Sequence, residues 1–192
     1  MLMFDCDCVI SAEGRRLLSS LLGRKLKSIE GYRYDLVPVE GKTTLYAVAR
    51  LHMEDGKSYD LRVKLVRVDI ATDFWDDTGA YSFGRAEGEI WLPEGAEPFK
   101  LPVGQIIDDV LLANDYDVLM HDGRKEGEFA FTKAVLLRTG LEYIAFSMDD
   151  FSEDAIVMRR GFDPDALVPD GSGSWYDKPG WTDEYERKFE TI

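Results

Sequence analysis

The residues of this chain best equipped for chemistry are carboxylates in short alternation. Four apolar residues run into Asp5-Cys6-Asp7-Cys8-Val9-Ile10, and Asp115-Tyr116-Asp117 repeats the Asp-x-Asp spacing in the second half. Such triplets supply the hard oxygen ligands that divalent cations prefer. Cys6, Cys8, His52 and His121 lack the paired spacings of a zinc site, so no metal and no cofactor is expected from them. Ser/His catalysis finds no Gly-x-Ser-x-Gly, and no Gly-rich loop leads into Lys-Ser/Thr to cradle a phosphate. His52 falls beside Arg50, Arg62 and Lys64, a cluster able to touch an anion but equally suited to a solvated sheet face.

The N-terminal run resembles the first motif of haloacid dehalogenase-like phosphatases, an apolar strand ending in Asp-x-Asp-x-Val/Thr-aliphatic. The resemblance covers ten residues. It implies Asp5 as the nucleophile, Asp7 as the acid/base and Mg²⁺ bridging Asp5 and the phosphate. Lys133 would then stand for the family's lysine, and the segment from Asp150 to Asp154 for its distal acidic pair. It also implies a parallel sheet with alternating helices, whereas the residues after the first helix are patterned as hairpins. Asp115-Tyr116-Asp117 similarly resembles the Mn²⁺-holding Asp-x-Asp of sugar-nucleotide transferases.

Stepping outward to the elements that carry these residues, the segment from Thr43 to Ile70 fits one hairpin register best. With Glu54-Asp55-Gly56 as the loop and Gly56 left-handed, Leu51 faces Tyr59, Ala49 faces Leu61, Ala47 faces Val63 and Leu45 faces Leu65. One face is then wholly apolar or aromatic. The other pairs Arg50 with Asp60, Val48 with Arg62 and Tyr46 with Lys64, so opposite charges meet across the strands.

Around that hairpin the expected elements follow in order. Residues 1–10 read as a strand, and Ser11 caps a helix whose face carries Leu17, Leu18, Leu21 and Leu22, ended by Gly23. Arg24 to Val39 is strand-like. Residues 71–102 read as irregular apart from a short Glu89-Ile90-Trp91-Leu92 strand. Strands at Tyr116 to Met120 and Phe129 to Leu137 follow, then a Thr139-Gly140 turn into Leu141 to Ser147. In the tail, Thr182 caps a short helix on which Trp181, Tyr185 and Phe189 form a stripe four residues apart.

The expected fold class is therefore α+β, mainly antiparallel. It has two similar β-meander halves, one N-terminal helix and a short C-terminal helix. The expected units are 1–92, 93–161 and an acidic, aromatic tail, 162–192, packing on the domain. Gly23–Ile29 matches Gly104–Val110 at an offset of 81, and Met53 to Leu61 matches Leu137 to Ala145 at 84, the pattern of an internal duplication.

Charge decides the leading functional expectation. The net charge is −14, and residues 71–192 carry 27 Asp+Glu against 11 Lys+Arg. Such a surface repels nucleic-acid phosphates and anionic membranes and favours basic partners. The chain has no apolar run long enough to span a bilayer and no secretory leader pattern, so a cytoplasmic protein is expected. The leading expectation is a non-enzymatic binding or regulatory protein, of inhibitor or immunity type, that engages a basic partner surface. Its binding residues would be Trp175, Trp181 and Tyr185 with Asp149, Asp150, Glu153 and Asp154. The alternatives are the Asp5 phosphatase with Mg²⁺, and a small-molecule binder whose pocket between two β lobes is lined by Trp75, Trp91 and Tyr143.

Overall fold

Alternating apolar positions broken by glycine turns produce mostly antiparallel strands. A computed structural model describes residues 4–33, 41–71, 74–91, 94–148, 155–169 and 179–192. In chain order the elements are β1 (Phe4–Cys8), α1 (Ala12–Ser19), β2 (Lys25–Arg33), β3 (Lys42–Tyr46), β4 (Val48–Met53), β5 (Ser58–Ala71) and β6 (Phe74–Arg85). They continue with β7 (Glu97–Ile106), β8 (Asp109–His121), β9 (Arg124–Thr139), β10 (Glu142–Met148), β11 (Ala155–Gly161), α2 (Pro164–Leu167) and β12 (Trp181–Thr191). The strand order is β12-β8-β9-β10-β11-β3-β2-β4-β5-β6, with β1 beside β9 and β7 beside β2. Among the described residues no helix is long and apolar enough to cross a membrane.

The central hairpin has the expected register where it matters most. Leu51 stands opposite Tyr59, Ala49 opposite Leu61, Arg50 opposite Asp60 and Val48 opposite Arg62. Gly56 takes φ +82°, and the turn closes through Met53 N–H to Lys57 O at 2.8 Å. The upper half of the expected pairing does not form. Ala47 sits at φ +53° and bends the chain, so Leu45 and Tyr46 leave the hairpin and stand opposite Ile156 and Ala155 of β11. The Val63 N–H to Ala47 O bond, at 3.0 Å, continues the ladder at the bend.

That bend joins two parts of the sheet around a shared apolar core. Leu26, Ile29, Leu51, Leu61 and Phe83 from one part cluster with Leu112, Val135, Leu137, Ile144 and Phe146 from the other. Tyr81 Oη donates to Phe146 O across this core at 3.0 Å. Removing so much apolar surface from water is the main stabilising term for the arrangement. Helix α1 starts as expected, with Ser11 Oγ accepting from Gly14 N–H at 3.2 Å. Leu18 and Leu21 enter the core, while Leu22 stays exposed. A second, smaller cluster joins Leu167 and Val168 at α2 to Ala113, Ala134, Leu136 and Ala145.

Three further expectations are corrected. The stretch 71–102 is largely strand: β6 pairs with β5 over its length, and β7 pairs with β2. Its glycines and aspartates suggested loops, but a long two-stranded ribbon tolerates them. Glu89, Ile90 and Trp91 form no strand; Leu92 lies outside the described residues. The C-terminal helix expected from Thr182 is β12, antiparallel to β8 over 11 residue pairs. A spacing of four is also a multiple of two, so Trp181, Tyr185 and Phe189 share one face of a strand just as they would a helix stripe. Alternating half-buried and exposed residues from Trp181 to Lys188 confirm the strand period.

Strand β1 stands apart. It is parallel to β9, with Asp5 opposite Glu128 and Asp7 opposite Ala130. The other pairings described are antiparallel. The alternating parallel sheet implied by the phosphatase resemblance is therefore not the sheet this chain builds.

Candidate docking end and neighbouring clusters

Three large apolar side chains that folding leaves in water converge at one end of the molecule. Leu141 is 86% exposed, Phe162 71% and Ile106 52%. They come from the β9–β10 turn, the residue after β11 and the end of β7. With Gln105, Asp108 and Glu142 they line a groove of about 580 Å³. Local chemistry holds the turn in place. Gly140 at φ +67° permits it, its N–H donates to Asp108 Oδ2 at 2.7 Å, and Asp108 N–H donates to Arg138 O at 2.8 Å. On the rim, Arg160 Nη2 donates to Glu142 Oε2 at 2.5 Å. Single exposed apolar residues are ordinary, whereas a convergent set with a polar rim is the composition of a candidate interaction surface. Covering one such side chain contributes on the order of 1.5–3 kcal/mol.

A larger cleft of about 850 Å³ opens between α1 and the β4–β5–β6 hairpins. Its charged lining is Glu13, Arg16, Arg24, Asp55, Lys57 and Arg85, and its apolar lining includes Leu17, Tyr59 and Phe83. The Tyr59 and Phe83 rings stack with centroids 5.7 Å apart. Arg24 is fixed above them: Nη1 donates to Tyr59 Oη at 2.7 Å, and Nη2 reaches both Asp55 oxygens at 2.8 Å. Groove and cleft are neighbours, because Lys25, next to Arg24, stands opposite Ile106.

The outward residues of β2, β4 and β5 build two polar arrays. In one, His52 Nε2 lies 2.8 Å from Glu30 Oε2, and Nδ1 lies 2.8 Å from Ser58 Oγ. The imidazole is thus held between a carboxylate and a hydroxyl, one at each ring nitrogen. In the other, Arg50 Nε and Nη2 donate to Asp60 at 2.7 and 3.0 Å, and Arg62 adds a third bond at 2.5 Å. Burial alone would raise the Asp60 carboxyl, but the Arg50 and Arg62 bonds outweigh it and hold the group below its ordinary value.

The Asp115-Tyr116-Asp117 triplet has the same residue types in a different setting. Asp115 is fully buried and held by Arg187 Nε and Nη2 at 2.6 and 2.8 Å. Asp117 is equally hidden, yet its Oδ1 has no hydrogen-bond partner. Desolvation first, and then the nearby Asp183 charge, push its carboxyl up to about 6. The two carboxylates serve separate neighbours. Among the described residues no group of three His, Cys, Asp or Glu could hold a metal ion.

The expected binding residues meet the structure unevenly. Trp181 stacks on His121 with centroids 4.5 Å apart, and Tyr185 stands opposite Asp117 on β12. Trp175, Asp149, Asp150, Glu153 and Asp154 lie outside the described residues. Asp7 is exposed, and its Oδ1 accepts from Val9 N–H at 3.2 Å. Lys133 is buried on β9, and the Cys8 side chain is buried at the end of β1. Trp91 lies against Tyr46, with centroids 5.7 Å apart, while Tyr143 packs beside the α2 cluster. Trp75 stands opposite Asp69 on the β6 ribbon. The exposed set Ile106, Leu141 and Phe162 was not anticipated, since each reads in sequence as one more core residue. The one available signal was a leucine inside a Thr-Gly-Leu-Glu turn, where a polar residue is usual. No family model, no curated protein and no solved structure matches this chain.

Proposed function

We propose that this is a non-enzymatic binding or regulatory protein, of inhibitor or immunity type, that docks a basic partner through the groove at the β9–β10 end. The observation that carries this reading is the convergence of Ile106, Leu141 and Phe162 on one groove. Its rim holds the carboxylates of Asp108 and Glu142, the latter paired with Arg160, in a chain of net charge −14. Apolar anchors supply the binding energy, and the acidic surroundings select a basic partner and speed its approach. A duplicated ancestry is part of the same proposal. The order β2-β4-β5 parallels β8-β9-β10, although the registers differ: Ile29 faces Leu51, whereas the matched Val110 faces Leu137.

The test is capture of a partner by the wild type and by Leu141→Asp, at low and moderate salt. The expected result is a basic partner that is recovered at low salt, weakened steeply as salt rises and lost with Leu141→Asp. The substitution leaves folding intact because the side chain is already in water. A partner retained by Leu141→Asp, or one indifferent to salt, overturns the reading.

A further inference from the structure

We propose that the cleft between α1 and the β4–β5–β6 hairpins is a separate ligand site for a small organic anion, a phosphate or carboxylate head on a ring-sized apolar body. This goes beyond the docking reading and does not depend on it. The charge of the cleft opposes that of the chain. Four cations and two carboxylates line it, on a protein carrying −14.

Both carboxylates are already engaged. Asp55 uses its two oxygens on Arg24, and Glu13 pairs with Arg16 at 3.3 Å. Lys57 lies 3.7 Å from an Asp55 oxygen that Arg24 already holds. Arg85 has no carboxylate within 4.0 Å among the described residues, and its side chain is in solvent. Lys57 and Arg85 therefore remain to meet a negative head group. Arg24 has a different job. Its guanidinium lies over the Tyr59 ring at 5.3 Å, and with the Asp55 and Tyr59 bonds it forms a fixed wall. Leu17 and the narrow exposed fringe of the stacked Tyr59 and Phe83 rings, 4% and 6% exposed, give an apolar body something to lie against. Few convergent polar groups over an apolar floor is the usual composition of a small-molecule site.

The experiment is titration of the full chain at low salt with phenyl phosphate, benzoate and inorganic phosphate, followed by calorimetry and by amide shifts in NMR. The expected result is saturable binding of an aryl anion, tighter than inorganic phosphate, with shifts at Arg24, Lys57 and Arg85. The stronger of phenyl phosphate and benzoate identifies the head group. Arg85→Glu and Lys57→Glu should each weaken binding about tenfold or more by reversing a charge at the site. Lys64→Glu, on an exposed β5 position outside the cleft, should leave it unchanged. No saturation by any probe up to about 10 mM overturns the proposal, as that limit excludes even millimolar affinity. So does equal binding by wild type, Arg85→Glu and Lys57→Glu.

Discussion

Asp60 and Asp117 are 2% and 3% exposed, both on strands, yet their carboxyls move in opposite directions. Asp60 faces two guanidiniums, with three bonds between 2.5 and 3.0 Å, and stays ionised below its ordinary range despite burial. Asp117 has an oxygen without a donor and Asp183 nearby, so burial and repulsion act together. Depth therefore fixes the stakes and donors fix the sign. The β4–β5 face is a satisfied polar network, whereas the β8–β12 face holds one carboxylate at a cost.

The largest way to break the comparison is Asp60→Asn. It leaves Arg50, with a side chain only 11% exposed, without its counter-charge, and should cost about 3–5 kcal/mol at neutral pH. Chemical denaturation measures it, and a loss under about 1 kcal/mol would mean that the network is not stabilising. Removing only the outer partner, with Arg62→Ala, should cost far less, on the order of 1 kcal/mol, because that side chain is 43% exposed.

Asp117→Asn should act with the opposite sign. A carboxyl raised from 3.8 to about 6 in the folded state contributes stability that is complete below its unfolded value and lost as pH rises through about 6. Wild type should thus lose stability between about pH 4 and 6 through this residue, and above that window the variant should be the more stable by up to about 3 kcal/mol. Near pH 4 the two should converge. Equal pH dependence of the two melting curves would contradict the assignment.

Much of the fold was legible because certain pairings had no comfortable alternative. The register from Val48 to Ser58 followed from one glycine turn and from opposite charges falling across from each other. The sequence did not reveal how deep that charge pair lies. The bend at Ala47 left no trace either, since alanine carries no preference for φ +53°. Trp181, Tyr185 and Phe189 suit a helix stripe as well as a strand face because a four-residue spacing satisfies both periods, and the edge of β8 decides between them. The exposed groove at the β9–β10 turn was illegible for a more general reason. A leucine, an isoleucine and a phenylalanine look like core until the chain closes and leaves them outside.

The most direct test of the proposed docking role is contact by position. A photo-reactive residue placed at Leu141 and, separately, at exposed Lys64 in the otherwise unchanged chain, should give a cross-linked complex from Leu141 alone, with a basic protein as the adduct. A complex formed from Lys64 and not from Leu141 would contradict the account.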